Sequence, residues 1–366
     1  MTIIDLEKEP ARKAPVRAMV NTGYKRRYFA AIAFLLAALG FIIIAATAFG
    51  SVSIPFKNTA WIILNKIPFL SFDVTWPKTQ ELIITQVRLP RVLVALLVGG
   101  ALALSGAVMQ GLFRNPMADP GIIGTTSGGA LGAVLSIYMG WASNYFYALP
   151  AAAFAGAFLC TFLVYAIATE HGRTPVDILL LSGIAVGGLM VSLTSFILSL
   201  ALHNWEIARQ IIFWTMGGLD GRSWPHVKMA YPIILPACLL IFAYARDLNI
   251  MLFGEESAHG LGVNVIWTRR VLLILTALVT GVSVSVAGAI GFVGLVIPHM
   301  IRMVVGPDHK ILLPTSFLAG ACFLPLADLV CRTIIKPEEL RLGVVTAFVG
   351  GPFFIYLLIK RKKAAH

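Results

Sequence analysis

Gln86-Val87-Arg88-Leu89-Pro90-Arg91 leads into an apolar run that ends Ser105-Gly106-Ala107-Val108-Met109-Gln110-Gly111-Leu112-Phe113-Arg114-Asn115-Pro116-Met117-Ala118-Asp119-Pro120. The run between the two arginines and the glutamine is long enough for a helix to cross ~30 Å of hydrocarbon. Prolines after Asn115 and Asp119 mark a turn, because proline lacks an N–H and drives the preceding residue out of the helical region. The stretch therefore reads as a membrane-spanning helix with two cations at its start and a polar turn at its end.

The rest of the chain fits the same reading. It is 366 residues long, 58% hydrophobic and only 13% charged, against about 25% charged in a soluble domain. A net charge of +12 raises nucleic acid as a partner. The basic residues cluster at the ends of apolar runs instead, as in a polytopic membrane protein. The expected fold class is all-α and polytopic. Ten spans are expected, near 28–49, 89–112, 121–139, 148–169, 177–201, 229–245, 269–289, 292–304, 311–333 and 342–359. The third, sixth and eighth are short or marked by Gly and Pro. Residues 1–27 read as a cytoplasmic tail, 28–359 as one transmembrane domain and 360–366 as a basic cytoplasmic tail.

An even number of spans puts both termini on one side. With that side inside, the inner segments carry more Lys and Arg than the outer ones, as the positive-inside rule requires. The outer segments still hold many, Arg88, Arg91, Arg332 and Arg341 among them. Gly99, Ala103, Ala107 and Gly111, then Gly124, Gly128 and Gly132, recur at every fourth position. Such strips let helix backbones approach in lipid, and packing inside one subunit is the expected use.

Several chemistries are missing. No GxxxxGK[ST] phosphate loop occurs, so the chain is not expected to hydrolyse ATP, and no nucleophile elbow or H-E-x-x-H is present. Cys160, Cys238, Cys322 and Cys331 have no metal-ligand spacing and read as inert thiols. No metal or cofactor is expected. His299 follows Pro298 and is expected to hydrogen-bond a carbonyl freed by the proline. Asp328 and Arg332 lie four apart, one helical turn, and are expected to pair. No acid falls near the middle of an expected span, which weighs against an ion-coupled carrier.

The opening stretch resembles the signature of ABC importer permeases for iron-siderophore, haem and cobalamin, the type II importers. Ala287-Gly288-Ala289-Ile290-Gly291-Phe292-Val293-Gly294-Leu295-Val296-Ile297-Pro298-His299 matches the family's most specific motif. Asp308-His309-Lys310-Ile311-Leu312-Leu313-Pro314 and Glu339-Leu340-Arg341-Leu342-Gly343-Val344-Val345-Thr346 with Gly351-Pro352-Phe353-Phe354 match further on. The resemblance runs from about Val87 to Ile359. It implies ten helices per subunit, a homodimer, two cytoplasmic ATP-binding subunits and an extracytoplasmic substrate-binding protein. It also implies a path lined mainly by the fifth and tenth spans.

Carried over by position, the docking residues for the binding protein are Arg88, Arg91 and Arg332. The loop 246–270 grips the ATPase through Gly254, Glu255, Glu256, Ser257, Ala258, Leu261 and Gly262. The inner gate falls at Asn115, Val176 and Asp177. Two departures touch the substrate rather than the fold. Arg341 stands where relatives often have Pro, and Asp177 where the cobalamin member has a small hydroxyl residue. The function expected is the permease of an ATP-driven importer for a metal chelate, ferric siderophore or haem first and cobalamin next. An ion-coupled secondary transporter and a membrane scaffold are the alternatives.

Overall fold

The computed structural model describes residues 22–50, 52–67, 72–170, 174–335 and 338–364. Most of the expected N-terminal tail, Arg173, Lys336 and the last two positions lie outside the described residues. The helices, in order, are α1 (Thr22–Ala48), α2 (Phe56–Leu64), α3 (Lys78–Leu82), α4 (Leu89–Leu112), α5 (Thr125–Tyr138), α6 (Trp141–Asn144), α7 (Ala148–Ala168) and α8 (Val176–Ala201). Then follow α9 (Trp205–Thr215), α10 (Trp224–Ala243), α11 (Ala245–Met251), α12 (Glu255–Gly260), α13 (Val265–Ala287), α14 (Val293–Val305), α15 (His309–Thr333) and α16 (Leu342–Ala364).

Among the described residues, seven helices are long and apolar enough to cross a membrane: α1, the continuous helix Lys78–Leu112, α7, α8, α10, α13 and α15. The shorter α5 and α14, and the apolar part of α16, Leu342–Tyr356, complete ten. The short third and eighth spans expected from sequence are the 14-residue α5 and the 13-residue α14. The second span starts earlier than expected. Its helix begins at Lys78, and Ile83–Arg88 forms a π turn before α4, with Leu89 N–H reaching back to Ile84 O. Such a turn inserts one residue into the helix. The seventh span also starts early, at Val265, so Arg269 lies inside a helix rather than at its start.

α4 is the centre of the bundle. Almost every residue from Val98 to Leu112 is buried, as a helix apolar on all sides requires. α10, α13, α14 and α15 pack around it. Small residues fix these contacts. A Cβ placed on Gly106 would lie 1.8 Å from Gly294 O, and one on Gly128 would lie 2.4 Å from Gly156 O. The strips thus serve packing within the subunit, between α4 and α14 and between α5 and α7.

α14 starts inside the bundle, level with Gly106 of α4. The chain descends to it from the end of α13 through Gly288–Phe292. Phe292 enters α14 in the left-handed region, φ 67°, a conformation that costs a non-glycine residue ~1–2 kcal/mol. Gly350 of α16 accommodates it: a Cβ there would meet the Phe292 Cβ at 2.5 Å.

Candidate functional sites at the two ends of the bundle

Trp224 Nε1 donates to Thr85 O at 2.9 Å. α10 therefore starts at the end where α4 starts, and α12 lies at the opposite end.

At the α4-start end, Arg88, Arg91 and Arg332 come together, but not as a free basic patch. Arg88 is buried, and its guanidinium donates to Thr47 O at 3.0 Å, to Ala48 O at 2.7 Å and to Val52 O. Arg332 is also buried and donates to Ala46 O at 2.9 Å and Phe49 O at 3.2 Å. Both arginines thus satisfy carbonyls that the C-terminus of α1 leaves without helical partners. Arg332 Nε lies 3.0 Å from Asp328 Oδ2, the expected pair one turn apart.

Arg91 is the most outward of the three. It donates to Asp328 through Nε and Nη2, at 2.8 Å for the shortest contact, and grips Glu339 with Nη1 and Nη2 at 3.2 and 2.7 Å. Asp328, buried, therefore has two cations on it. Beside this cluster, a cleft of about 620 Å³ is lined by Arg91, Arg209, Phe213, Asp220, Glu339 and Arg341. Arg341 pairs with Asp220 at 2.9 Å and stacks 3.8 Å above the Phe213 ring. Burial pushes the Asp220 carboxyl up, but the charge and hydrogen bond of Arg341 outweigh it and hold the group below its ordinary value.

At the other end, α12 is a short helix between Gly254, φ 108°, and Gly262, φ 83°. Its first turn carries Glu255 and Glu256, the sign favoured at a helix N-terminus. Ala258 is buried beneath it. Glu256, Ser257 and Leu261 face outward. Phe253, just outside the expected site residues, is 78% exposed beside this surface helix. Glu255 is not free: it pairs with Arg269 of α13. Arg269 also donates to Thr174 O at 3.0 Å, and Arg270 Nε donates to the Tyr165 hydroxyl at 3.1 Å. These groups line a cavity of about 660 Å³ together with Glu256 and His259.

The expected gate residues lie on two elements. Asn115 Oδ1 accepts Met117 N–H at 3.0 Å and shapes the turn after α4. Val176 and Asp177 open α8, Asp177 exposed. The turn reaches α8 at Gly183, where a Cβ would lie 2.2 Å from Ile122 O, about 9 Å along the helix from Asp177 at 1.5 Å per residue.

One sequence expectation needs correction. His299 makes no hydrogen bond among the described residues; the Pro298-freed carbonyl is not its partner. The acid nearest the bundle interior at this end lies on a turn, outside every span. Asp119, on the turn between α4 and α5, folds back so that its Oδ2 packs at Gly294, opposite Leu102 O of α4. Its Oδ1 accepts Gly121 N–H at 2.8 Å and caps the short 3-10 turn Pro120–Ile123. The sequence placed it in a loop, and only the deep start of α14 shows how far that loop penetrates.

Nine apolar helices gathered with a buried α4, a half-length α14 among them, and a short external α12 define a permease of the type II ABC importer architecture. Residues 36–360 match the FecCD transport family, and the chain belongs to that family. It is 43% identical over 337 residues to the cobalamin import system permease protein BtuC of Halobacterium salinarum, covering 88% of this chain and 89% of that one. It is 38% identical over 335 residues to the hemin transport system permease protein HmuU of Yersinia pestis, covering 91% and 96%. Among solved structures it resembles an inward-facing metal-chelate type ABC transporter described as putative, with a TM-score of 0.75 and 32% identity over 89% of this chain and 99% of that one.

Proposed function

We propose that two copies of this chain form the translocation path of an ATP-driven importer for a bulky metal chelate. Both termini and α12 lie on the cytoplasmic side, and the Arg91 cluster faces outward in a cell membrane. Two ATP-binding subunits grip α12, and a binding protein delivers the chelate. The observation that carries this reading is α12 itself. It projects Phe253, Glu256 and Leu261 beyond the bundle on a turn framed by two left-handed glycines. No described residue covers these side chains, and the sequence lacks a phosphate loop of its own.

The dimer axis runs between α8 and α16. Both expose large apolar residues, Leu181 and Phe196 on one and Phe348 on the other. Between them lie small or hydroxyl positions, Gly188, Ser192 and Ser195 on α8 and Gly351 on α16, with open space at both glycines. A surface against lipid alone has no use for such a strip. Asn115, Val176 and Asp177 form the inner gate. Docking rests on Arg91 most directly, with Arg88 and Arg332 holding its surroundings rather than meeting the partner themselves. Relatives are named for cobalamin and hemin, so both chelates, with ferric siderophores, are the substrates to offer. The ion-coupled alternative gains nothing from Asp119, whose carboxylate is committed to Gly121 N–H.

The test reconstitutes the chain with its ATPase and binding protein in proteoliposomes. ATP-dependent uptake of cyanocobalamin, haemin or a ferric siderophore is expected. ATP hydrolysis without uptake of any of these, or uptake driven by a proton gradient without ATP, removes the proposal.

A further inference from the structure

We infer that Arg269 is the positioning residue through which α12 moves the first turn of α8. The inference rests on reading α12 as the ATPase contact. Arg269 is 8% exposed, so its side chain is held in place. One guanidinium nitrogen, Nη1, donates to Thr174 O at 3.0 Å; the other, Nη2, donates to Glu255 on α12. Thr174 is next to Pro175, the residue that opens α8. Its hydroxyl pairs with that of Thr169 at 2.8 Å, tying the same segment to the end of α7.

One planar fork thus joins three elements that the chain separates: α12, α13 and the entry to α8. α8 needs such a support. Its N-cap is Pro175, and no side chain caps it, so Thr174 O gives a fixed handle just outside the helix. A lysine in place of Arg269 offers a point charge that cannot hold two divergent acceptors in fixed geometry. Arg269 Nε is buried and has no acceptor among the described residues. A side chain placed only to fill space would not strand a donor in this way. Beside it the cavity of about 660 Å³ leaves α12 room to shift. Movement of α12 relative to α13 therefore pulls directly on the start of α8, whose Gly183 meets the gate turn two helical turns further on.

The experiment uses the complex of this chain with its ATPase subunit in lipid nanodiscs. Cysteine is introduced at the exposed start of α8, Asp177→Cys, and labelled with bimane. The four native cysteines are all buried, so labelling is confined to that site. The otherwise wild-type complex is expected to change its fluorescence when ATP binds. In assembled complexes carrying Arg269→Lys or Glu255→Gln the change is expected to fall at least fivefold. Glu255 is half-exposed, so its replacement leaves the fold intact if the arginine variant does not assemble. A fluorescence change of wild-type size in either assembled variant overturns the inference. A labelled complex that hydrolyses ATP with no fluorescence change even before these substitutions overturns the reading of α12 on which it rests.

Discussion

The two ends of the bundle use arginine in opposite ways. At one end Arg88 and Arg332 spend their donors on five carbonyls, all from residues 46–52 at the end of α1, and on Asp328. Those carbonyls belong to one short segment, so the arginines lock it. At the other end Arg269 and Arg270 divide their donors among α12, the entry to α8 and α7. Those acceptors belong to separate elements, so the arginines link. Burial alone does not separate the two cases; the identity of the acceptors does.

The largest effect is expected at the locking end. Arg332→Ala removes one of the two cations on buried Asp328 and uncaps α1, and breaking a buried pair costs about 3–5 kcal/mol. A thermal melt of the detergent-purified protein is expected to show it as a clear loss of stability. A melting temperature equal to that of the unmodified chain would show that the carbonyls find other donors.

Arg88→Ala comes next. It leaves Asp328 paired and removes only carbonyl contacts, at about 1–3 kcal/mol for buried groups left unmet. Hydrogen exchange should quicken at the end of α1 and hardly change in α13. Uniform quickening would mean that α1 is integral to the whole bundle.

Arg91 stands between locking and recognition. Its side chain is mostly buried, but it grips the half-exposed Glu339. Arg91→Gln should slow association with the binding protein, chiefly at low salt, because charges at a rim act on encounter rate. Association rates equal to those of the unaltered chain across a salt series remove Arg91 from docking.

The smallest effect is at Asp220. Its folded carboxyl sits below its ordinary value, so the Arg341 pair is present above that value and lost as pH falls through the lowered one. The side chain is 54% exposed, so screening keeps the pair to about 0–1 kcal/mol. The stability difference between the wild-type chain and Asp220→Asn should shrink as pH drops below 4; a difference independent of pH would show that the pair is structural only through shape.

The ten-helix plan was legible because apolar runs and prolines write it directly. Gly128 and Gly132, read as a packing strip, meet Gly156 and Ala152 of α7. The fates of the arginines were not legible. Arg332 caps carbonyls 283 and 286 positions away, and a cation at a helix end has the same sequence context whether it faces a partner or another helix. Asp119 was read in a turn and lies in one, but its packing against Gly294 was not legible, because the start of α14 depends on the left-handed Phe292. Arg269 was placed at a helix start, and only its true position in α13 brings it over Thr174.

The π turn at Ile83–Arg88 makes the orientation of the preceding segment separable from the bundle. Removing one residue there would return the helix to ordinary winding and turn everything before it by about 100°. Gln80 and Glu81 would swing away from Asn58 and Lys66, which they contact now, while α4 kept every neighbour inside the bundle. A single-codon change is thus enough to re-aim the segment from α2 to α3 while the path-forming helices keep their packing.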